Sequence, residues 1–304
     1  MSSSDRFSGV LAPVITPFKT DLSIDTERLI KHCQWLRSQQ VGLAVFGTNS
    51  EANSLSTTEK IQVLDRLTEA GIDPDAMMPG TGCCALSDSV SLTSHAVKLG
   101  CRGVLMLPPF FYKGVSDDGL YANYSQIIER VAEANLRLYL YHIPAFSGVG
   151  ISVALIDRLV RDYPQTIAGI KDSSGDWENT KSYLDGGWDD FKVFCGSESF
   201  LLANMQNGGA GCISATANVN PAAIANLYQQ WSSPGADDLQ HELNKIRVIF
   251  QSLPMIAALK SATAICSGDD NWYRVRPPLT SLDEQSLQQL RQLLDDAQFT
   301  MAGL

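Results

Sequence analysis

The stretch Ile167-Ala168-Gly169-Ile170-Lys171-Asp172-Ser173-Ser174-Gly175-Asp176 reads as a short apolar strand that ends on one lysine and turns at once into a polar, glycine-bearing loop. The run from Thr166 to Ile170 shows no polar alternation, the pattern of a strand covered on both faces. A charged, unpaired lysine would cost several kcal/mol there unless it stood at the mouth of a cavity. Made neutral in such a place, its amine is a nucleophile toward carbonyl carbon. The ordinary alternative is a strand-end lysine whose stem covers apolar surface while its ammonium reaches water. Its surroundings in the chain decide between the two.

Working outward, similar apolar runs fall at 10–15, 41–46, 76–78, 103–107, 136–141, 192–195 and 211–214. Helical patterns separate them. Asp25 is placed as an N-cap for a helix to Gln40, and Ser56-Thr57-Thr58-Glu59 is a capping box. Further helices are expected from Ser87 to Leu99, Asp117 to Ala134, Ser152 to Tyr163, Glu178 to Leu184 and Ser199 to Gln206. Strands alternating with helices mean a parallel sheet. Eight such units over residues 8–230 fit a closed (β/α)8 TIM barrel. A doubly wound sheet would carry a glycine fingerprint after its first strand, and Thr16-Pro17-Phe18 is not one. Residues 231–304 read as a C-terminal helical extension packed on the barrel of residues 1–230, one structural unit without a linker.

The composition narrows the function. With 304 residues, 44% hydrophobic and 18% charged, the chain can bury a large core. A net charge of -10 argues against nucleic acid or an anionic membrane as partner, though backbone amides can still hold a small anion. The seven cysteines include no CxxC pair, so a redox or metal role for Cys83 and Cys84 is disfavoured and a reducing cytoplasm is expected. Residues 1–7 are polar, unlike a secretory signal, and no apolar run reaches the ~20 residues of a membrane span.

In a barrel of this kind the active site lies at the C-terminal ends of the strands. That rule selects Thr48-Asn49, Phe110 to Lys113, Tyr141-His142, Lys171, Gly196-Ser197-Glu198 and Ser214. Tyr141, on the strand beside Lys171, is placed to carry protons.

The segments Gly47-Thr48-Asn49-Ser50-Glu51, Tyr141-His142-Ile143-Pro144-Ala145-Phe146-Ser147-Gly148 and Gly169-Ile170-Lys171-Asp172 resemble the family of dihydrodipicolinate synthase and N-acetylneuraminate lyase. Arg276-Pro277-Pro278-Leu279 is similar to that family's C-terminal signature, and the resemblance covers residues 10–294. It implies a (β/α)8 barrel with a C-terminal helical region, usually a homotetramer. It implies a Schiff base between Lys171 and a small-molecule 2-oxo acid such as pyruvate, with no cofactor because the lysine imine is itself the electron sink. By the same resemblance Tyr141 is the general acid/base and Thr48 and Asn49 hold the carboxylate. The carbonyl of Ile213 is expected near the lysine.

The chain also departs from the family pattern. Asn49 and Ser50 replace a threonine and a glycine. Phe146 stands where the synthases carry an arginine for their second substrate, which argues against authentic dihydrodipicolinate synthesis. Phe111 stands where many members bring a tyrosine from a neighbouring subunit; Tyr112 is then either a substitute relay or an interface aromatic. His142 either touches substrate or supports a residue that does. Gly196, Ser197, Glu198 and Ser214 are the candidates for the distal half of the substrate. The expected activity is cleavage or formation of a 2-oxo acid from pyruvate and an aldehyde. Dehydration of a 2-keto-3-deoxy sugar acid through the same imine is the alternative, and a non-catalytic 2-oxo acid binder is the alternative of another class.

Overall fold

The structure, a computed structural model, describes residues 6–304; the rest of the polar N-terminal stretch, 1–5, lies outside the described residues. Seven parallel strands form one curled sheet: β1 (Gly9–Ala12), β2 (Gly42–Leu43), β3 (Val104–Met106), β4 (Leu138–His142), β5 (Ile167–Asp172), β6 (Lys192–Cys195) and β7 (Gly211–Ile213). Their order is β2-β1-β7-β6-β5-β4-β3. The eighth expected strand is an extended segment, residues 77–81, that bridges the two sheet edges. Met78 and Gly80 donate to Leu43 and Val45 at 2.8 and 2.7 Å on one side. On the other, Leu105 donates to Pro79 and Thr81 donates to Leu105, both at 2.9 Å. Pro79 has no N–H to give, so the ladder is interrupted here while the barrel still closes. Gly80 permits that closure, because a Cβ on it would lie 2.2 Å from the carbonyl oxygen of Phe46.

Helices α1 (Thr26–Ser38), α2 (Thr57–Glu69), α3 (Leu86–Lys98) and α4 (Asp117–Val131) cover the first half of the barrel. The short α5 (Pro144–Ser147), then α6 (Val153–Asp162), α7 (Trp177–Leu184) and α8 (Leu201–Gln206), cover the second. Asp25, Ser56 and Ser152 cap their helices as expected, each accepting a backbone N–H from the first turn. Several boundaries shift by one to three residues, and two helix starts differ in kind. The helix expected from Ser87 begins at Leu86 with no side-chain cap, and the one expected from Ser199 opens as a 3₁₀ turn before α8. The chain then continues as α9 (Pro221–Gln230), α10 (Ala236–Gln251), α11 (Met255–Ser267) and α12 (Glu284–Asp296). Among the described residues no single helix is long and apolar enough to cross a membrane.

The unbroken apolar strands divide their side chains between two cores. Leu11, Tyr139, Phe194 and Ile213 point into the barrel, whereas Val10, Leu138, Leu140, Val193 and Cys212 pack under the helices. Tyr139 fills the lower barrel edge-on to Phe7 and Phe194, and its hydroxyl accepts the N–H of Phe7 at 2.7 Å. Gly169 makes room for that ring, since a Cβ there would stand 2.9 Å from the Tyr139 Cδ1. The register of β4 on β5 shifts between Leu138 and Tyr139. Beyond that irregularity Tyr139 pairs with Gly169 and Tyr141 with Lys171, which sets the lysine alongside Tyr141.

Candidate active site

The C-terminal ends of β4, β5 and β6 and the loop after β2 open into a cavity of ≈ 440 Å³. Lys171 lines it while only 2% exposed, with Nζ 4.2 Å from the centroid of the Tyr141 ring. No carboxylate is ion-paired to it among the described residues. The Tyr141 hydroxyl in turn shares a hydrogen bond of 3.1 Å with Thr48 Oγ1. Thr48 begins a 3₁₀ turn, Thr48–Ser50, with Asn49 also on the cavity wall. The cavity therefore brings together an amine, a phenol and a polar turn, three elements that are separated by 93 residues at the Thr48–Tyr141 bond.

Below the rim, Asp172 fixes the loop after β5. Its carboxylate accepts from Ser174 N at 2.9 Å, Asn179 Nδ2 at 3.0 Å and the Thr180 hydroxyl at 2.7 Å. Gly196 donates its N–H to the Asp172 carbonyl at 2.6 Å. A Cβ on Gly196 would stand 2.1 Å from Ser173 Oγ, so only glycine lets β6 approach this turn. His142, next to Tyr141, accepts the Ile151 N–H on Nδ1 at 3.0 Å. Burial lowers its pKa, opposed by the neighbouring Asp172 charge, and Nδ1, as the acceptor, leaves the ring proton to Nε2. It supports the loop and does not line the cavity.

Glu198 departs from its expected place. Its carboxylate is buried and takes hydrogen bonds from Ser214 Oγ and Thr216 Oγ1, with Arg247 Nη1 3.3 Å away. The carboxylate is held by these partners, and neither Glu198 nor Ser214 lines the cavity. Arg247 does line it. This arginine comes from α10, as does Gln251, and Met255 opens α11, so the C-terminal helices supply part of the wall. Strand-end reasoning missed all three. The signal was in α10 itself, where Arg247 interrupts the buried stripe of Leu243 and Phe250 at i+4 and i−3 spacing.

The remaining candidates fall at the edge or outside. Ser197 lines the cavity, and Phe146 lines its rim while 73% exposed. Ile213 is buried inside the barrel in the same cluster as Tyr141 but does not reach the cavity. Tyr112 is exposed and stacks edge-on with Phe111 at 5.3 Å, away from the cavity lining. Among the described residues no group of three or more His, Cys, Asp and Glu is arranged to hold a metal ion.

Comparison with known proteins agrees with this geometry. Residues 6–297 match the model of the dihydrodipicolinate synthetase family. An uncharacterized DapA-like lyase of Chloroflexus aurantiacus is 31% identical over 288 residues, covering 93% of this chain and 94% of its own. The crystal structure of dihydrodipicolinate synthase from Agrobacterium tumefaciens superposes with a TM-score of 0.87 at 30% identity, over 95% of this chain and 99% of that one. YagE, an Escherichia coli prophage protein of the dihydrodipicolinic acid synthase family solved in complex with pyruvate, gives a TM-score of 0.89 at 27% identity, over 96% and 99%. Agreement along almost the full length of both partners, in sequence and in fold, makes this chain a lyase of the dihydrodipicolinate synthetase family.

Proposed function

We propose that the protein forms a Schiff base between Lys171 and a 2-oxo acid and uses it to cleave or make the carbon–carbon bond joining pyruvate to an aldehyde. One observation carries this reading: the buried Lys171 amine, the Tyr141 hydroxyl and Thr48 stand in sequence in one cavity, joined by the 4.2 Å ring contact and the 3.1 Å hydrogen bond. The neutral amine adds to the ketone carbon of the 2-oxo acid. Tyr141 protonates the resulting alkoxide, regains a proton from the adduct's ammonium nitrogen, and gives that proton to the hydroxyl, which leaves as water to form the iminium. In the cleavage direction a base takes the proton from the C4 hydroxyl, the C3–C4 bond breaks, and its electron pair moves into the iminium to give an enamine. Protonation of the enamine and hydrolysis release pyruvate and restore the lysine. No further cofactor is called for, since the iminium is the electron sink. Thr48 and Asn49 hold the carboxylate through side-chain and backbone donors.

Two features bear on the partner. Phe146, at the rim, offers no charge to a second carboxylate, in keeping with an activity other than dihydrodipicolinate synthesis. Arg247, steadied by Glu198, offers donors to the oxygen-bearing far end of a longer substrate. Phe111 and Tyr112, both exposed, are in keeping with a surface that meets a neighbouring subunit, where Tyr112 serves either as a substitute relay or as an interface aromatic of a homotetramer.

Incubation with pyruvate and sodium borohydride, followed by peptide mass analysis, tests the central claim. A reduced pyruvyl adduct on Lys171, absent from Lys171→Ala, is the expected result. Folded wild-type protein that gives no adduct with pyruvate or with longer 2-oxo acids would overturn it. Free pyruvate among the products of a deoxy sugar acid then marks cleavage, and its absence with loss of water marks dehydration.

A further inference from the structure

We propose that Lys260, in the C-terminal helical region, is a positioning residue for the reaction: through its buried pair with Glu51 it holds the turn that presents Thr48 and Asn49. The inference rests on the reading of Thr48 and Asn49 as substrate-binding groups. Its starting point is the backbone. The Thr48–Ser50 turn ends on Glu51 at φ 57 and ψ 34, a left-handed conformation that a residue with a Cβ adopts only when its surroundings impose it. Backbone bonds alone are a weak constraint on so short a turn: Ser50 and Glu51 donate to Gly47 and Thr48 at 3.1 Å each. Side chains do the rest. Thr16 Oγ1 donates to the Ser50 carbonyl at 2.7 Å, and the Ser50 hydroxyl accepts the Gly47 N–H at 3.1 Å.

The Glu51 carboxylate is the anchor that reaches beyond the barrel. Lys260 Nζ donates to Oε1, and the Arg276 N–H donates to Oε2 at 2.8 Å. The side chains of Glu51 and Lys260 are both 0% exposed, so neither charge has water to fall back on. Lys260 also donates to the Arg274 carbonyl at 2.7 Å and lies 4.4 Å from the Phe18 ring centroid, with the Arg276 guanidinium 4.7 Å from the same centroid. Arg276 is itself tied to Glu59 Oε1 at 2.5 Å and to the carbonyls of Ser54 and Leu22 at 2.7 and 2.8 Å. These bonds clamp the segment after β2 from both its ends against α11 and the chain that follows it. A charge pair has direction as well as strength: it fixes where the Glu51 carboxylate lies, and with it the rotation of the turn that faces Tyr141. An apolar contact of the same size would cover the turn without orienting it.

The test compares Lys260→Arg, Lys260→Met and the double variant Lys260→Met/Glu51→Gln, which removes both charges and keeps the fold from carrying a lone one. Two readouts are needed. Hydrogen exchange at the amides of residues 47–52 requires no substrate; it should quicken at least tenfold in the double variant and recover most of its protection in Lys260→Arg. The pyruvate KM should rise at least tenfold in the double variant, while borohydride at saturating pyruvate still labels Lys171. A folded double variant with wild-type exchange over residues 47–52 and wild-type KM would overturn the proposal. Wild-type protein that traps no 2-oxo acid would instead remove the Schiff-base reading, and the exchange data would still decide whether Lys260 orders the turn.

Discussion

Lowering the pH from 7 to 4 should weaken the fold by about 3 kcal/mol through one imidazole. His32 is fully buried on α1, stacked on Trp35 and edge-on to Trp272, with Nε2 3.4 Å from Asn218 Oδ1. Burial depresses its pKa from 6.5 to about 4, against a smaller opposing effect of the Asn218 hydrogen bond. The unfolded chain binds its proton near 6.5 and the folded chain only near 4, so between these values the unfolded state holds more protons. The contribution of this residue is complete above pH 6.5, shrinks as the pH falls, and is gone below about 4. A span of about 2.5 pH units at about 1.4 kcal/mol each gives the stated magnitude. Urea unfolding of wild type and His32→Gln at pH 7, 6, 5 and 4 isolates it. Glutamine does not titrate, so the stability gap between the two proteins should narrow by about 3 kcal/mol toward pH 4. Parallel pH dependences would refute the reasoning, because they would mean that His32 holds its proton equally well in both states.

At the proposed site, Tyr141→Phe keeps the ring beside Lys171 but deletes the hydroxyl shared with Thr48. Exchange of the pyruvate methyl protons, followed by NMR, should slow by roughly 10²–10⁴, the usual range for a general acid/base; a loss under tenfold would remove it from that role. Arg247→Met should raise KM about tenfold or more for hydroxylated 2-oxo acids of five or six carbons while leaving the borohydride adduct with pyruvate intact, since Arg247 lines the cavity from α10 rather than from a strand end. Equal KM values for long substrates in both proteins would show that the far end is read elsewhere.

Lys171 and Tyr141 are legible in the sequence because barrel strands have a fixed polarity: whatever follows an apolar run lies at the mouth. Their neighbourhood on adjacent strands is legible too, but the exact pairing is not, since it depends on a register irregularity between Leu138 and Tyr139 that no propensity announces. The run 76–78 reads as a strand by composition, but the closing segment extends to residue 81, and Pro79 keeps it from pairing regularly. Glu198 shows where residue type misleads. A carboxylate at a strand end looks like a ligand for substrate until Ser214, Thr216 and Arg247, distant in the chain, are seen to occupy it. Arg247 is the converse. Its helix reads as amphipathic cover, and only the position of one charge within the apolar stripe points inward.

The packing of Tyr139 against Phe7 and Phe194 has a consequence for traffic. A ring of strands is in principle a tube with two ends, but these three aromatics stopper the lower one, and the Lys171 amine stands above the plug at the bottom of a well. Everything that reaches the amine must descend from the mouth, and everything that leaves must climb back to it. With the proposed chemistry, the molecule bonded to Lys171 goes in first and comes out last. An ordered sequence of arrivals and departures is thus imposed by the floor of the barrel, without a moving part.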